Sequence, residues 1–204
     1  MVLLHPTYFS PIIQYVAIAR STNIIFEVED NYQKQTYRNR CYIYGSNGLQ
    51  LLNVPIEHLK GVKQKTKDVK IDYKDFWYKH HLKTLQSAYS SSPFYEFYID
   101  DIMSILNKKY TFLLDLTLSC HEFVMDALQI EIPLSKTDKF EQDHEINDHR
   151  GLVVAKSKHN LNLTPYYQVF NESHGFISNL SILDLIFMEG PNTLNYLEME
   201  SIKF

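Results

Sequence analysis

The chain has 204 residues, of which 45% are hydrophobic and 22% are charged, and its formal net charge is −4. A chain of this length and composition can bury its own core, which excludes an intrinsically disordered protein and a scaffold that depends on disulfides. The mildly acidic balance argues against binding to nucleic acid polymers, because such binding needs a broad basic surface. The 15 tyrosines and 12 phenylalanines favour concave binding surfaces instead.

The cysteines and the N-terminal residues indicate a soluble protein of a reducing compartment. Cys41 and Cys120 lie far apart in sequence, so neither a disulfide scaffold nor a zinc site is expected, and no cofactor is predicted. Residues 1–6 lack the basic start and the apolar run of a signal peptide. No stretch approaches the roughly 20 apolar residues that span a bilayer. We therefore expect a cytoplasmic protein without a transmembrane segment.

The first thirty residues predict the strand, helix and strand of a parallel α/β sheet. Residues 2–4 form a buried strand, Ser10 and Pro11 begin a helix as N-cap and first residue, and residues 24–28 form a second strand. Ligands of such sheets bind beyond the carboxyl ends of the strands. Four side chains are expected at this edge: His5, Tyr8, Glu29 and Asp30.

The stretch from Tyr32 to Ile43 combines cations, amides and tyrosines without a glycine or a proline. An extended conformation would place Lys34, Arg38 and Arg40 on one face, since side chains alternate along a strand. Two arginines that project together suit a forked grip on a phosphate or a carboxylate. The same pattern is typical of a solvated edge strand whose charges prevent pairing with another chain.

A β-hairpin and a helical layer follow. Residues 45–48 form the hairpin turn, and the helical layer extends from Asp75, as an N-cap, to Gln129. Residues 130–132 are predicted to return to the sheet as a strand. The fold class is thus α/β, with a mainly parallel central sheet, flanking helices, a β-hairpin insertion and a helical subdomain.

The last third of the chain begins with a change of composition. Residues 135–160 are polar with little periodicity, which predicts a loop or flap within a single domain that spans residues 1–204. Asn179 or Ser181 then begins a late helix over residues 182–188, with Asp184 three residues after Ser181 as in a capping box.

Several motifs occur in order along the chain. They are His5-Pro6-Thr7-Tyr8-Phe9, Tyr37-Arg38-Asn39-Arg40-Cys41, Trp77-Tyr78-Lys79-His80, Ser92-Pro93-Phe94 and residues 179–191. Together they resemble the WbqC-like family of bacterial proteins over nearly the whole chain. Members of that family occur with genes for O-antigen and other surface polysaccharides, so the resemblance implies a pathway more than a reaction. Many relatives have Gln where His5 stands, and longer relatives have a further sheet unit in place of the polar segment.

These observations predict one anion-binding cleft. Its proton-transfer residues are His5 and His80. Its substrate contacts are Tyr8, Lys34, Arg38, Asn39, Arg40 and Trp77. No metal is predicted, because the sequence has no His-Glu-x-x-His spacing. It also lacks a phosphate loop and the second histidine that nucleotidyl transfer would need after His5. Cys41, beside Arg40, is a better candidate for a reactive thiol than Cys120, but an extended strand would point it away from the arginines.

Two functions remain open at this point. In the first, the protein is a transferase that acts on a nucleotide-activated or phosphorylated sugar for surface polysaccharide. In the second, it is a non-catalytic binding partner of a polysaccharide biosynthesis complex. The clustering of Arg, Asn, His and aromatic residues favours the transferase, whereas the absence of established catalytic spacings favours the binding partner.

Overall fold

A computed structural model describes residues 1–57, 61, 63–142, 147–156 and 163–200. It confirms the α/β fold, with a four-stranded parallel sheet, a two-stranded antiparallel sheet and flanking helices. The strands are β1 (Val2–Leu4), β2 (Ile24–Phe26), β3 (Arg40–Gly45), β4 (Gly48–Asn53), β5 (Leu134–Lys136) and β6 (Asn147–Asp148). The helices are α1 (Ile12–Ala19), α2 (Trp77–Tyr89), α3 (Tyr95–Asn107), α4 (Leu113–Leu128), α5 (Asn171–His174), α6 (Ile182–Glu189) and α7 (Thr193–Met199). Within these ranges, no helix has both the length and the apolar composition that crossing a membrane requires.

The parallel sheet has the strand order β5-β2-β1-β6. Leu3 and Leu4 are fully buried, as expected for a strand that is covered on both faces. The chain adds β2 and β5 on one side of β1 and then adds β6 on the other side, so the strand order reverses between β1 and β6. In open α/β sheets, ligands bind at such a reversal, beyond the carboxyl ends of the strands.

Helix α1 begins one residue later than predicted, with Pro11 as the N-cap instead of the first helical residue. The hydroxyl of Ser10 contacts Thr7 and does not cap the helix. The free N–H groups of the first turn are satisfied from the far end of the chain. Ile12 N donates to the carbonyl oxygen of Leu180, and Ile13 N donates to Oδ1 of Asn179, both at 2.9 Å.

The predicted hairpin and helical layer are confirmed. Strands β3 and β4 pair in antiparallel register from Arg40 opposite Asn53 to Gly45 opposite Gly48. Gly48 has a φ of 91°, which explains the glycine at the end of this turn. The helical layer consists of α2, α3 and α4, but the predicted N-cap is wrong. Phe76, in a left-handed conformation, precedes α2 in place of Asp75.

The strand predicted at residues 130–132 is also displaced. The chain returns to the sheet as β5, which begins after Pro133, and the carbonyl of Pro133 accepts from Ile24 N at 2.9 Å. The polar segment 135–160 is not a loop throughout, because it contains β6 and a 3-10 turn over Arg150–Val153. Residues 143–146 and 157–160 of the predicted flap lie outside the described residues.

The N-cap predicted for α6 is confirmed, but the capping box is not. Ser181 Oγ accepts from Leu183 N at 3.3 Å. Asp184 is completely buried and accepts from the hydroxyls of Tyr89 at 2.7 Å and Tyr166 at 2.5 Å. Burial raises the pKa of Asp184 above its ordinary value. This carboxyl group therefore joins α6 to α2 and to the preceding extended segment, and does not close the helix end.

Candidate functional site

The carboxyl edge of the parallel sheet carries a buried group of charged side chains. His5 directly follows β1, Glu27 directly follows β2, and Asp30 lies three residues further along the chain. Arg150 lies two residues after β6. Glu27 is 0% exposed, and His5 and Asp30 are each 6% exposed. Charges buried to this extent need partners, and the fold supplies them.

Arg38 pairs directly with Asp30 inside this group and is only 1% exposed. Its Nη2 donates to Oδ2 of Asp30 at 2.6 Å and lies 2.9 Å from Nε2 of His5. The other oxygen of Asp30 accepts from the hydroxyl of Thr66 at 2.6 Å. Burial lowers the pKa of Arg38, but a guanidinium group remains charged in proteins. Arg38 and Asp30 therefore form a buried ion pair.

His5 is neutral in this environment. Burial, and then the charge of Arg38, lower its pKa well below the ordinary value of 6.5. Nδ1 of His5 lies 3.4 Å from the carbonyl oxygen of Glu27, and Nε2 faces Arg38, which can only donate. Nη2 of Arg38 lies 2.9 Å from Nε2 and 3.2 Å from Nδ1, so a proton on Nδ1 leaves the nearer nitrogen free to accept from Arg38. Nε2 is then a hydrogen-bond acceptor whose lone pair is engaged by Arg38.

Arg150 forms the opposite side of the network. Its Nη2 donates to Oδ2 of Asp148 at 2.6 Å, and its Nη1 lies 3.4 Å from Oε2 of Glu27. It also donates at 2.8 Å to the carbonyl oxygens of Glu141 and Gln142. Hydrogen bonding to Asp148 raises the pKa of Arg150. The charge of this second arginine is thus also matched by carboxylates.

A cavity of about 380 Å³ opens beside this network, at the ends of β1 and β6 where the strand order reverses. We call it the His5 cavity. Its lining includes His5, Asp30, Gln33, Arg38, Phe140 and Arg150.

A second cavity, of about 450 Å³, is formed by other residues of the same segment. We call it the Arg40 cavity, and its lining includes Tyr32, Lys34, Gln35, Asn39, Arg40 and Asn53. Alternate residues of segment 31–34 line the two cavities. Asn31 and Gln33 line the His5 cavity, whereas Tyr32 and Lys34 line the Arg40 cavity. Segment 31–40 therefore stands between the two cavities.

The Arg40 cavity carries positive charge that is not neutralised. Among the described residues, its lining includes Lys34 and Arg40 but no carboxylate, and neither cation forms an ion pair. Nε of Arg40 and Oδ1 of Asn39 are buried and have no hydrogen-bond partner among the described residues. A buried polar group that lacks a partner costs about 1–3 kcal/mol. An oxyanion ligand would satisfy Nε of Arg40, and a hydroxyl or amino group would satisfy Oδ1 of Asn39.

The structure therefore divides the predicted cleft. His5 and Arg38 meet at the His5 cavity, whereas Lys34, Asn39 and Arg40 line the Arg40 cavity. The physical reason is that residues 34–39 form turns, with Gln35 at a φ of 60°, and that β3 begins only at Arg40. The alternation expected of a strand does not apply before that point, and Arg38 turns toward the core.

The other three predicted site residues lie elsewhere. Tyr8 is 0% exposed, its hydroxyl lies 2.9 Å from Nδ1 of His81, and its ring packs edge-on against Trp77. His80 is exposed and lines a different cavity of about 440 Å³ between the hairpin and α2. None of the three lines the His5 cavity or the Arg40 cavity, and their roles in ligand binding stay predictions. Burial raises the pKa of the Cys41 thiol, which is opposite to what a reactive thiol needs.

Asp30 lies at the predicted edge of the sheet, although it was not among the predicted site residues. Glu27, Tyr32 and Arg150 were not predicted as site residues either. A signal existed for Glu27, which is an acidic residue directly after a buried strand. No periodicity could have revealed Arg150, because the preceding strand β6 contains only two residues.

Comparison with protein families identifies the chain. The model of the WbqC-like protein family matches residues 6–160, a range that starts one residue after His5 and contains Asp30, Arg38, Arg40 and Arg150. Comparisons with curated proteins and with solved structures gave no match. The family match covers well over half of the chain. The protein therefore belongs to the WbqC-like protein family.

Proposed function

We propose that the protein is a transferase that acts on a nucleotide-activated or phosphorylated sugar in the biosynthesis of bacterial surface polysaccharide of the O-antigen type. The observation that carries this proposal is the Arg40 cavity, where two cations without carboxylate partners border buried polar atoms that lack hydrogen bonds. Arginine and lysine in such an arrangement favour phosphate groups. The pathway is suggested by the motifs that resemble the family.

Each residue of the Arg40 cavity offers a different contact. Arg40 can donate two parallel hydrogen bonds to phosphate oxygens, and Lys34 adds a point charge. Burial raises the pKa of Tyr32 to about 12, so its hydroxyl stays protonated and can also donate to phosphate. Oδ1 of Asn39 can accept from a hydroxyl or an amino group of the ligand.

His5 is the candidate for proton transfer in this transferase. It is neutral, and Nε2 can accept a proton once Arg38 releases it. Arg38 keeps its bond to Asp30 in that event, and Oδ2 of Asp30, which lies 3.7 Å from Nε2, is the carboxylate oxygen that would face the protonated His5.

Thermal shift measurements can test the proposal with uridine diphosphate glucose, glucose 1-phosphate and inorganic pyrophosphate. A ligand at 100 times its Kd stabilises the native state by about 2.7 kcal/mol. For a chain of this size, that stabilisation raises the Tm by about 5–10 °C. The variant Lys34→Ala/Arg40→Ala should lose the shift for all three probes.

A matched control is available in Lys83→Ala. Lys83 lines the cavity between the hairpin and α2, which has a similar volume, so this change removes one cation from a different concave surface. The shift should persist in this control variant. If Lys34→Ala/Arg40→Ala retains the full shift, or if no phosphorylated probe stabilises the wild type, the Arg40 cavity is not the phosphate site.

One observation favours the alternative function, a non-catalytic binding partner of a biosynthetic complex. Segment 31–40 stands between the unpaired cations and His5, whose Nε2 is already engaged by Arg38. None of the described residues that line the Arg40 cavity is a histidine. Mass spectrometry separates the two functions: a new sugar product after incubation with a donor and an acceptor supports the transferase, whereas binding of the nucleotide sugar without any turnover supports the binding partner.

A further inference from the structure

The His5 cavity differs from the Arg40 cavity in its charge balance. Its two arginines are each matched by a carboxylate, Arg38 by Asp30 at 2.6 Å and Arg150 by Asp148 at 2.6 Å. A ligand with a negative charge would meet Asp30 at the wall and would gain no unpaired cation. The cavity is therefore unsuited to a phosphate but is open to a polar ligand without charge.

Hydrogen-bonding groups are nevertheless available in this cavity. Nε of Arg38 is buried and lacks a hydrogen-bond partner among the described residues. The amide side chains of Asn31, Gln33 and Gln142 also line the cavity. Amides both donate and accept, which suits ligand hydroxyl groups because these do the same.

An apolar surface completes the lining. Phe140 is 53% exposed, and its ring lies 5.4 Å from the guanidinium carbon of Arg150. An exposed aromatic ring beside a set of polar side chains matches the two-sided chemistry of a sugar, which carries hydroxyl groups at its edge and C–H groups on its faces.

We propose that the His5 cavity is a second binding site, which takes an uncharged polyhydroxyl ligand such as a sugar. Phe140 packs against the apolar face of this ligand, and Gln33, Gln142 and Nε of Arg38 bind its hydroxyl groups. Segment 31–40 separates this ligand from the anion in the Arg40 cavity, so the protein holds two different molecules. This second site does not rest on the proposed function, since binding of a sugar does not depend on catalysis.

The test is isothermal titration of the full chain with neutral sugars, namely glucose, galactose, N-acetylglucosamine and their methyl glycosides. Phe140→Ala and Gln33→Ala change exposed side chains and should leave the fold intact. Loss of the aromatic contact should weaken binding of the best sugar about tenfold. Both variants should keep the thermal shift with inorganic pyrophosphate, whereas Lys34→Ala/Arg40→Ala should keep the sugar and lose the pyrophosphate.

Three outcomes would overturn the inference. They are the absence of binding for every neutral sugar in the millimolar range, sugar binding that Phe140→Ala and Gln33→Ala do not change, and competition between the sugar and pyrophosphate for one site. Failure of pyrophosphate to bind while a neutral sugar binds would instead reject the proposed phosphate site and leave this second site intact.

Discussion

Arg38 and Arg40 are two residues apart in sequence and have opposite environments. Arg38 is almost completely buried, bonded to Asp30 and in contact with His5. Arg40 is half-buried at the start of β3, has no ionic partner among the described residues, and leaves Nε without a hydrogen bond. The first arginine neutralises a carboxylate inside the protein, whereas the second has its charge available for a ligand.

The difference shows that charge balance distinguishes a structural arginine from a binding arginine. A buried guanidinium group must be paired, so Arg38 contributes to the fold and has little left to offer an anion. Arg40 is adjacent to a cavity whose described lining residues include no carboxylate, and it can form new bonds without breaking existing ones.

The variants Arg38→Met and Arg40→Met should differ most in stability. Removing Arg38 leaves Asp30 buried without its partner, which should lower the free energy of unfolding by about 3–5 kcal/mol. Removing Arg40 should change it by no more than about 0.5 kcal/mol. Urea denaturation followed by circular dichroism measures both values. Equal losses in the two variants would show that Arg40 is structural too, and the contrast would then fail.

A second prediction concerns pH and the histidine of the Arg38 network. Burial lowers the pKa of His5, and lowers those of His81 and His121 to about 4. The unfolded chain therefore takes up these protons first, at about pH 6.5. Stability is complete above that pH and falls as the pH drops toward the folded pKa values. Each histidine contributes a slope of at most about 1.4 kcal/mol per pH unit.

Urea denaturation between about pH 7 and about pH 5 measures this slope. His5→Gln should reduce this slope by the contribution of one titrating histidine, because Gln does not titrate. Arg40→Met should leave the slope unchanged, since the described lining of the Arg40 cavity contains no histidine. A slope that Arg40→Met alters as much as His5→Gln would mean that the two regions are not separate.

Arg40→Lys tests whether the forked geometry of Arg40 contributes to phosphate binding. Lysine keeps the positive charge but cannot form two parallel hydrogen bonds with a phosphate. Losing one charge-assisted bond should weaken binding of pyrophosphate about tenfold, without a change in the Tm of the free protein. Isothermal titration gives the Kd. An unchanged affinity would indicate that charge alone, without a forked contact, holds the phosphate.

Added salt should affect the interactions of Arg40 but not those of Arg38, and this is the smallest of the expected effects. Raising sodium chloride from about 0.05 M to about 0.5 M shortens the screening length and should weaken pyrophosphate binding severalfold. The buried pair of Arg38 and Asp30 is shielded from bulk ions, and the binding of a neutral sugar in the His5 cavity involves no net charge. Sugar affinity that falls in parallel with pyrophosphate affinity would contradict this separation.

Local patterns allowed much of the fold to be predicted from the sequence. The strand-helix-strand opening predicted that His5 and Asp30 would lie at the same edge of a parallel sheet, and they do. The glycine-containing turn predicted the hairpin that begins with Arg40. These features depend on residues that are close in sequence, so a single chain contains the information.

The division of the site depended on contacts between distant residues. Asp30 and Arg38 are eight residues apart, and nothing in the local pattern indicates that the chain turns between them and buries both. The position of Tyr8 also depends on a distant residue, because its hydroxyl hydrogen-bonds to His81, which is 73 residues away. Some side chains can either line a cavity or pack in the core, and their tertiary contacts decide which. These contacts cannot be predicted from a single sequence.

The segment at residues 179–182 gives the C-terminal part of the chain a role in holding the N-terminal part together. Asn179 and Leu180 satisfy the first N–H groups of α1, and Ser181 N donates to the carbonyl oxygen of Tyr42 in β3 at 2.7 Å. The helix that follows is buried at every position from Ile182 to Met188. A fragment that ends at residue 160, where the family match ends, would expose the start of α1, the edge of β3 and a large apolar surface. We therefore expect that such a fragment does not fold by itself, and a fragment for expression should extend through α6.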